Sequence, residues 1–189
     1  MARFTVILDA CVLYPAPLRD LLMRLALTDL FKARWTDQIH EEWINALLRV
    51  GNKFSREKLE TIRDLMDENV RDAKVADYES LIDNLNLPDQ NDRHVLATAI
   101  RCNADAIVTA NVKDFPKEEL EKYSIEVIHP DDFICYQIEL DAGLVCNTVK
   151  RQRKALNNPP KSVEEILVHL QKCQLPQTVS ALRKYQELL

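Results

Sequence analysis

Glycine is nearly absent from this chain of 189 residues, which contains only Gly51 and Gly143. Neither glycine lies in a loop that could cradle a phosphate group. The sequence therefore excludes the P-loop and the dinucleotide-binding fingerprint together. No GxSxG pentapeptide occurs either, and its absence argues against a hydrolase with a nucleophile elbow.

Cysteine and histidine are not arranged for disulfide or zinc chemistry. The five cysteines are odd in number and include no CxxC pair, which argues against a disulfide framework and a thiolate zinc site. The four histidines are scattered and form no HExxH or HxH motif.

Long hydrophobic runs are also missing. The apolar start of the chain, residues 1–14, is too short to span a bilayer. Asp9 interrupts this segment and Arg3 is its only basic residue, which argues against a signal peptide. We therefore expect a cytoplasmic protein without membrane contact.

The net charge of −5 at first argues against a nucleic-acid partner, but the charge is unevenly distributed. From Thr148 to Leu189, eight Lys and Arg residues accompany three Asp and Glu residues, so this tail carries +5 and the rest of the chain −10. An acidic body with a basic tail suits an enzyme that binds metal in one place and a polyanion in another.

Short apolar runs alternate with helical patterns in the first two thirds of the chain. The predicted strands are residues 4–8, 33–35, 106–109 and 125–128. Strands that alternate with helices predict a parallel sheet and an α/β fold. After residue 130 the pattern is entirely helical, with predicted helices at 131–143, 144–156, 162–173 and 176–188.

Several carboxylates flank the predicted strands. Asp9 ends the first strand, Asp114 follows the third, and Asp89 and Asp92 open the helix that leads to the third. Glu42 lies on an earlier helix. The carboxyl ends of parallel strands meet at one edge of a sheet, so the fold could gather several of these acids there.

Gathered carboxylates would need a cation to stay charged, and hard oxygen ligands select Mg²⁺ or Mn²⁺. Such an ion lowers the pKa of bound water and neutralises charge developing on a phosphate, which suits phosphodiester cleavage.

A structural interpretation of the same acids stays open. Asp89 and Asp92 could be helix caps, a position that aspartate favours, and Asp114 could be a turn residue. Asp9 is harder to explain this way, because a carboxylate that closes a buried apolar strand is costly without a partner.

Three segments of the chain resemble the motifs of PIN domains. VILDACVL (6–13) resembles the first motif, with an Asp after an apolar strand. TDQIHEEW (36–43) resembles the second, in which an acid follows a Thr by six residues, and this register selects Glu42. LPDQNDRHVLATAIRCNADAIVTANVKDFP (87–116) resembles the most specific part of the pattern. The resemblance covers roughly residues 3–133.

The resemblance implies a nuclease that depends on Mg²⁺ or Mn²⁺ and cuts RNA. It implies that catalysis and metal binding depend on four acids, which are Asp9, Glu42, Asp92 and Asp114. Asp89 would be an accessory acid, and Thr109 and Asn111 would hold the site by hydrogen bonds. The implied fold is a three-layer α/β/α structure with a central parallel sheet of about five strands.

The signatures DxxDRHVLATA and VTxNxxDFP resemble those of a bacterial PIN group, many of whose members are VapC-type toxins. This likeness implies an endoribonuclease toxin of a type II toxin–antitoxin pair that forms a homodimer and is silenced by an antitoxin. A housekeeping RNA-processing nuclease and a non-catalytic RNA-binding or partner-binding module are the alternatives.

The tail departs from the compact toxin pattern. We expect a nuclease domain at residues 1–133 and a helical extension at residues 134–189. The candidates for contact with RNA phosphates are Lys150, Arg151, Arg153 and Lys154. A solvated helix face is the alternative interpretation of this cluster.

Overall fold

The centre of the protein is a sheet of four parallel strands in the order β2–β1–β3–β4. The computed structural model describes residues 4–51 and 54–189, so residues 1–3 of the expected nuclease domain lie outside the described part. The strands are β1 (Thr5–Leu8), β2 (Lys32–Arg34), β3 (Ala106–Val108) and β4 (Glu126–Ile128).

The two central strands are completely enclosed. Val6 pairs with Ala33 of β2 on one side and with Ala106 of β3 on the other. All three residues of β3, and Val6 to Leu8 of β1, are buried. Strands that are apolar at every position require helices on both faces of the sheet, which explains their unbroken hydrophobic sequence. The predicted α/β fold is confirmed.

The expected number of about five strands is slightly too high. Beyond β2 the described residues form only an isolated parallel bridge between Trp35 and Lys74. The backbone amide of Trp35 donates to the carbonyl of Ala73, and its backbone carbonyl accepts from the amide of Val75. Both N–O distances are 2.9 Å. The backbone at Asp72 is left-handed (φ 55°), so the extended stretch cannot continue toward the N-terminus and no fifth strand develops.

Six helices belong to the first two thirds of the chain. Their bounds are α1 (Ala10–Leu13), α2 (Ala16–Ala26), α3 (Asp37–Arg49), α4 (Arg56–Asn69), α5 (Arg93–Arg101) and α6 (Lys117–Leu120). Short 3₁₀ segments occupy Glu79–Asn84, Gln90–Asp92, Val112–Asp114 and Glu121–Tyr123. Two of these segments end at Asp92 and Asp114, which the sequence singled out.

Helix α3 begins where the sequence predicts. The Thr36 hydroxyl accepts a hydrogen bond from the amide of Ile39 at 3.1 Å and so caps the helix. Ile39, Trp43 and Leu47 recur at helical spacing and are buried. This face fixes the rotation of α3 and leaves Glu42 on a half-buried side.

The C-terminal part is all-helical, as the sequence predicts. It consists of α7 (Pro130–Leu140), α8 (Ala142–Ala155), α9 (Val163–Lys172) and α10 (Pro176–Arg183), followed by a 3₁₀ turn at Gln186–Leu188. Ser162 and Glu165 cap α9 reciprocally. Within residues 4–51 and 54–189, no helix is both long enough and apolar enough to cross a membrane.

The C-terminal helices pack directly on the sheet-bearing part. The Gln152 side chain of α8 donates to the Pro17 carbonyl at the start of α2 (2.7 Å). Phe133 of α7 packs edge-to-face on Phe31, with ring centroids 4.8 Å apart. Helix α7 runs through the expected boundary between residues 133 and 134, so that division into two domains stays a prediction.

Asp131 ties α10 to α7. Its carboxylate is buried and accepts hydrogen bonds from the amides of Gln177 (2.9 Å) and Thr178 (2.8 Å) at the start of α10. These amides have no carbonyl partner within their own helix. The side chain therefore satisfies one buried and one partly buried donor and places a negative charge at the positive end of the helix.

We predict that Asp131→Ala lowers the free energy of unfolding by about 2–3 kcal/mol, because it leaves the buried amide of Thr178 and the partly buried amide of Gln177 without acceptors. The measurement is urea unfolding followed by circular dichroism. Asp132→Ala is the matched control, since Asp132 accepts only an exposed bond from the Gln177 side chain. Equal losses in the two variants would contradict the anchoring role of Asp131.

Candidate active site

Asp9 lies at the carboxyl edge of the sheet, because the backbone hydrogen bonds between β1 and β3 continue one residue beyond the end of β1. Its amide donates to the Val108 carbonyl of β3 at 3.1 Å. One carboxylate oxygen, Oδ1, accepts from the amide of Ala10 at 2.6 Å, and the other, Oδ2, accepts from the Thr109 hydroxyl at 2.7 Å. Asp9 is only 6% exposed, so these bonds compensate for much of its lost hydration.

Cys11 is a member of this site that sequence reasoning missed. Its thiol donates to Oδ2 of Asp9 (3.1 Å), lies 3.2 Å from the Thr109 hydroxyl, and accepts from the amide of Ala110 (3.2 Å). Burial and the charge of Asp9 raise the pKa of Cys11 to about 12, so the thiol keeps its proton and can donate. The sequence offered one signal for the role of Cys11, which is its position two residues after Asp9.

The hydroxyl of Thr109 links the end of β1 to the loop that follows β3. Besides donating to Asp9, its hydroxyl accepts from the amide of Asn111 at 3.0 Å. Thr109 thus lies against Asp9, and its expected role in supporting the site stays a prediction. The Asn111 side chain is exposed and caps no helix.

Asp92 lies among three other carboxylates. Its pKa is raised to about 6, first by burial and then by the negative charges of three neighbours, while His94 acts in the opposite direction. The neighbours are Asp9, Asp89 and Asp114. The fold thus places Asp9 and Asp114, which lie 105 residues apart in the sequence, both within electrostatic range of Asp92.

The hydrogen bonds distinguish caps from other acids. Asp89 is a cap, because its carboxylate accepts from the amide of Asn91 at 2.8 Å. Asp92 precedes α5 but makes no capping bond, and Asp114 ends its 3₁₀ segment without capping a helix. The structural interpretation therefore applies to Asp89 and does not explain Asp92 or Asp114.

Glu42 approaches this region from α3 and is not among the acids that raise the pKa of Asp92. Its Oε1 lies 2.8 Å from His94 Nε2 and accepts from the exposed Gln38 side-chain amide at 3.3 Å. His94 lies two residues after Asp92 on α5 and is 3% exposed. The side chain of Glu42 is thus held beside the start of α5.

The chemistry of these groups fits a hard divalent cation, although the present side-chain positions do not form a coordination sphere. Across the described residues, no three histidine, cysteine or acidic side chains converge closely enough to hold one ion. Asp9, Asp92 and Asp114 offer only oxygen donors, which suit Mg²⁺ or Mn²⁺. The raised pKa of Asp92 reflects repulsion that a bound cation would relieve.

The basic cluster of α8 divides into two pairs. Lys150 donates to the Leu188 carbonyl (3.3 Å), and Arg153 donates to the carbonyls of Lys161 (3.0 Å) and Leu189 (3.4 Å). These two side chains hold the end of the chain. Arg151 and Lys154 are exposed and remain the better candidates for contact with an external phosphate.

A PIN domain model matches residues 5–113, which is more than half of the chain. The chain belongs to the PIN domain family. The match includes Asp9, Glu42, Asp89 and Asp92 and ends one residue before Asp114. A second model, the VapC50 C-terminal domain, matches residues 130–184 and so spans α7 to α10.

The name of one relative contains VapC50, which is also the name of the second family model. The chain is 38% identical over 93 residues to "Putative ribonuclease VapC50" of Mycobacterium tuberculosis. The match covers 49% of this chain and 54% of the relative, so the chain spans about half the length of that protein. No solved structure matches the chain.

We predict that Asp92→Asn, studied in EDTA at pH 7.5, is at least as stable as the wild type. The folded state raises the pKa of Asp92 from 3.8 to about 6, so the wild type loses stability as the pH rises through this interval. The neutral amide avoids that loss, which we put at about 1 kcal/mol for a half-buried group.

The measurement is urea unfolding of both proteins between pH 5 and pH 7.5, where the advantage of the variant should shrink toward the acid end. A marked loss of stability at pH 7.5 would mean that Asp92 mainly supports the start of α5.

Proposed function

We propose that the protein is a metal-dependent endoribonuclease that hydrolyses RNA phosphodiester bonds as the toxin of a type II toxin–antitoxin pair. The observation that carries the proposal is that Asp9, at the carboxyl edge of a PIN domain sheet, lies with Asp89 and Asp114 near enough to Asp92 for their charges to raise its pKa. The ribonuclease name of the mycobacterial relative and the match to the VapC50 C-terminal domain support it.

Asp9, Asp92 and Asp114 would hold Mg²⁺ or Mn²⁺, with Glu42 as the fourth acid and Asp89 as an accessory one. The cation would supply a Lewis acid and a water of lowered pKa for attack on phosphorus. Asp9 is the most rigid of these ligands, because both of its oxygens are already oriented by donors from Ala10, Thr109 and Cys11. Rigid ligands reduce the reorganisation that binding requires.

The negative charge of the acids would make the binding of RNA at this site depend on the cation. Asp92 and the three carboxylates whose charges act on it would also repel a phosphodiester. Arg151 and Lys154 could hold the RNA backbone at the surface of α8, where contact with phosphates positions a strand without reading its sequence.

An apolar groove supports the antitoxin part of the proposal. It has a volume of about 810 Å³ and lies between α2, α4 and the region around Leu156. Leu27 and Leu65, which line it, are both more than half exposed. Exposed apolar surface of this kind is typical of a protein-binding site. The homodimer expected from the family resemblance stays a prediction.

We expect purified protein to cleave a labelled RNA pool with Mg²⁺ or Mn²⁺, to be inactive in EDTA, and to lose at least about 100-fold in rate on Asp9→Asn, the scale expected for loss of an essential group. Asp132→Asn, which changes an acid distant in sequence and bonded only to Gln177, is the matched control. Metal-independent cleavage, or full activity of Asp9→Asn, would contradict the proposal.

Toxicity has a separate test. Induced expression in a bacterial host should arrest growth, Asp9→Asn should abolish the arrest, and co-expression of a small protein encoded beside this gene should relieve it. Active nuclease without growth arrest would favour a housekeeping enzyme. Folded protein without cleavage under any condition would favour a non-catalytic binding module.

A further inference from the structure

Two backbone amides of the loop after β3 are linked by hydrogen bonds to the same carboxylate oxygen. The amide of Ala110 donates to Cys11 Sγ at 3.2 Å, and the thiol of Cys11 donates to Oδ2 of Asp9 at 3.1 Å. The amide of Asn111 donates to the Thr109 hydroxyl at 3.0 Å, and that hydroxyl donates to the same oxygen at 2.7 Å. Two parallel chains of hydrogen bonds therefore end on Oδ2 of Asp9.

The bond between the Ala110 amide and Cys11 holds the loop from outside. It joins residues 99 positions apart, and Cys11 lies in α1, which begins directly after Asp9. Among the residues that the structure describes, no other hydrogen bond connects the backbone of residues 110–114 to a residue outside the stretch 109–115. Cys11 is therefore the side chain that fixes this loop to the segment that carries Asp9.

The loop is short and is closed by its own backbone. The amide of Asp114 donates to the Asn111 carbonyl at 2.9 Å, within the 3₁₀ segment Val112–Asp114. A displacement of the backbone at Ala110 is therefore transmitted over four residues to Asp114, for which the sequence predicts a catalytic role. The position of one predicted acid thus depends on a bond made beside another.

We propose that Cys11 is a positioning residue of the nuclease, whose thiol sets the distance between Asp9 and the loop that carries Asn111 and Asp114. The inference rests on the proposed function. Loss of the thiol would leave the Ala110 amide without its acceptor and Oδ2 of Asp9 with one donor fewer. Misplacement of a reacting group by about 1 Å can cost about 100-fold in rate.

The first test compares kcat and KM of Cys11→Ala and Cys11→Ser on an RNA that the wild-type protein cleaves. We expect Cys11→Ala to lower kcat at least about 10-fold, a loss typical of residues that orient essential groups. KM should stay nearly unchanged, because the thiol acts through Asp9 and the loop. Cys11→Ser should restore most of kcat, since a hydroxyl also donates and accepts, and its shorter hydrogen bonds suit its shorter side chain.

The second test reads the link itself, without RNA or activity. It is hydrogen exchange of the Ala110 amide, followed by NMR on the full chain. Removal of its acceptor should make this amide exchange about 5-fold faster in Cys11→Ala, whereas Cys11→Ser should keep nearly the wild-type rate. The amide of Asn111 is the internal reference, because its acceptor is Thr109 and its exchange should change less.

Cys102→Ala is the matched control. Cys102 is also partly buried, but it lies at the end of α5 and its thiol donates to the Ala99 carbonyl at 3.8 Å. This variant should leave both kcat and the exchange of the Ala110 amide unchanged.

Undiminished kcat in Cys11→Ala, an equal loss in Cys11→Ser, or unchanged exchange of the Ala110 amide in Cys11→Ala would overturn the inference. Absence of cleavage by the wild-type protein would instead overturn the proposed function, and the exchange measurement would still report the link between Cys11 and the loop. The two failures are therefore distinguishable.

Discussion

The hydrogen bond from the Thr109 hydroxyl to Asp9 joins the ends of the two central strands, and the arrangement of the acids depends on it. The strands are held in register by the bond from the Asp9 amide to the Val108 carbonyl. Because both strands end together, a buried carboxylate and a buried hydroxyl meet at the edge of the sheet. Asp92 and Asp114 then need only short 3₁₀ segments to approach the same place.

This arrangement stores electrostatic repulsion at the site. Burial and three neighbouring charges raise the pKa of Asp92, so the protein without cation holds one carboxyl group close to its neutral form at moderately acidic pH. In the proposed metal site, repulsion of this kind would lower the stability of the protein without cation and be relieved when a cation binds. Asp9 and Asp89 each accept a hydrogen bond from a backbone amide.

The C-terminal helices contribute to the fold as well as to charge. Asp131 anchors α10, Gln152 reaches the start of α2, and Arg153 holds the last residue of the chain. Half of the basic cluster is therefore engaged in internal bonds, which a count of charges along the sequence cannot reveal. The remaining basic surface at Arg151 and Lys154 is smaller than the +5 of the tail suggests.

The sequence by itself determined the alternation of strands and helices, the four C-terminal helices and the carboxylates at strand ends, because hydrophobic periodicity and capping are local properties. It could not decide whether Asp89 and Asp92 make capping bonds, since aspartate occurs both at helix caps and elsewhere. The tertiary structure decided that Asp89 makes such a bond and Asp92 does not, and it also decided the number of strands, the place of Cys11 and the contact of Glu42 with His94. Each of these depends on groups that meet only when distant segments pack, and no local pattern records such contacts.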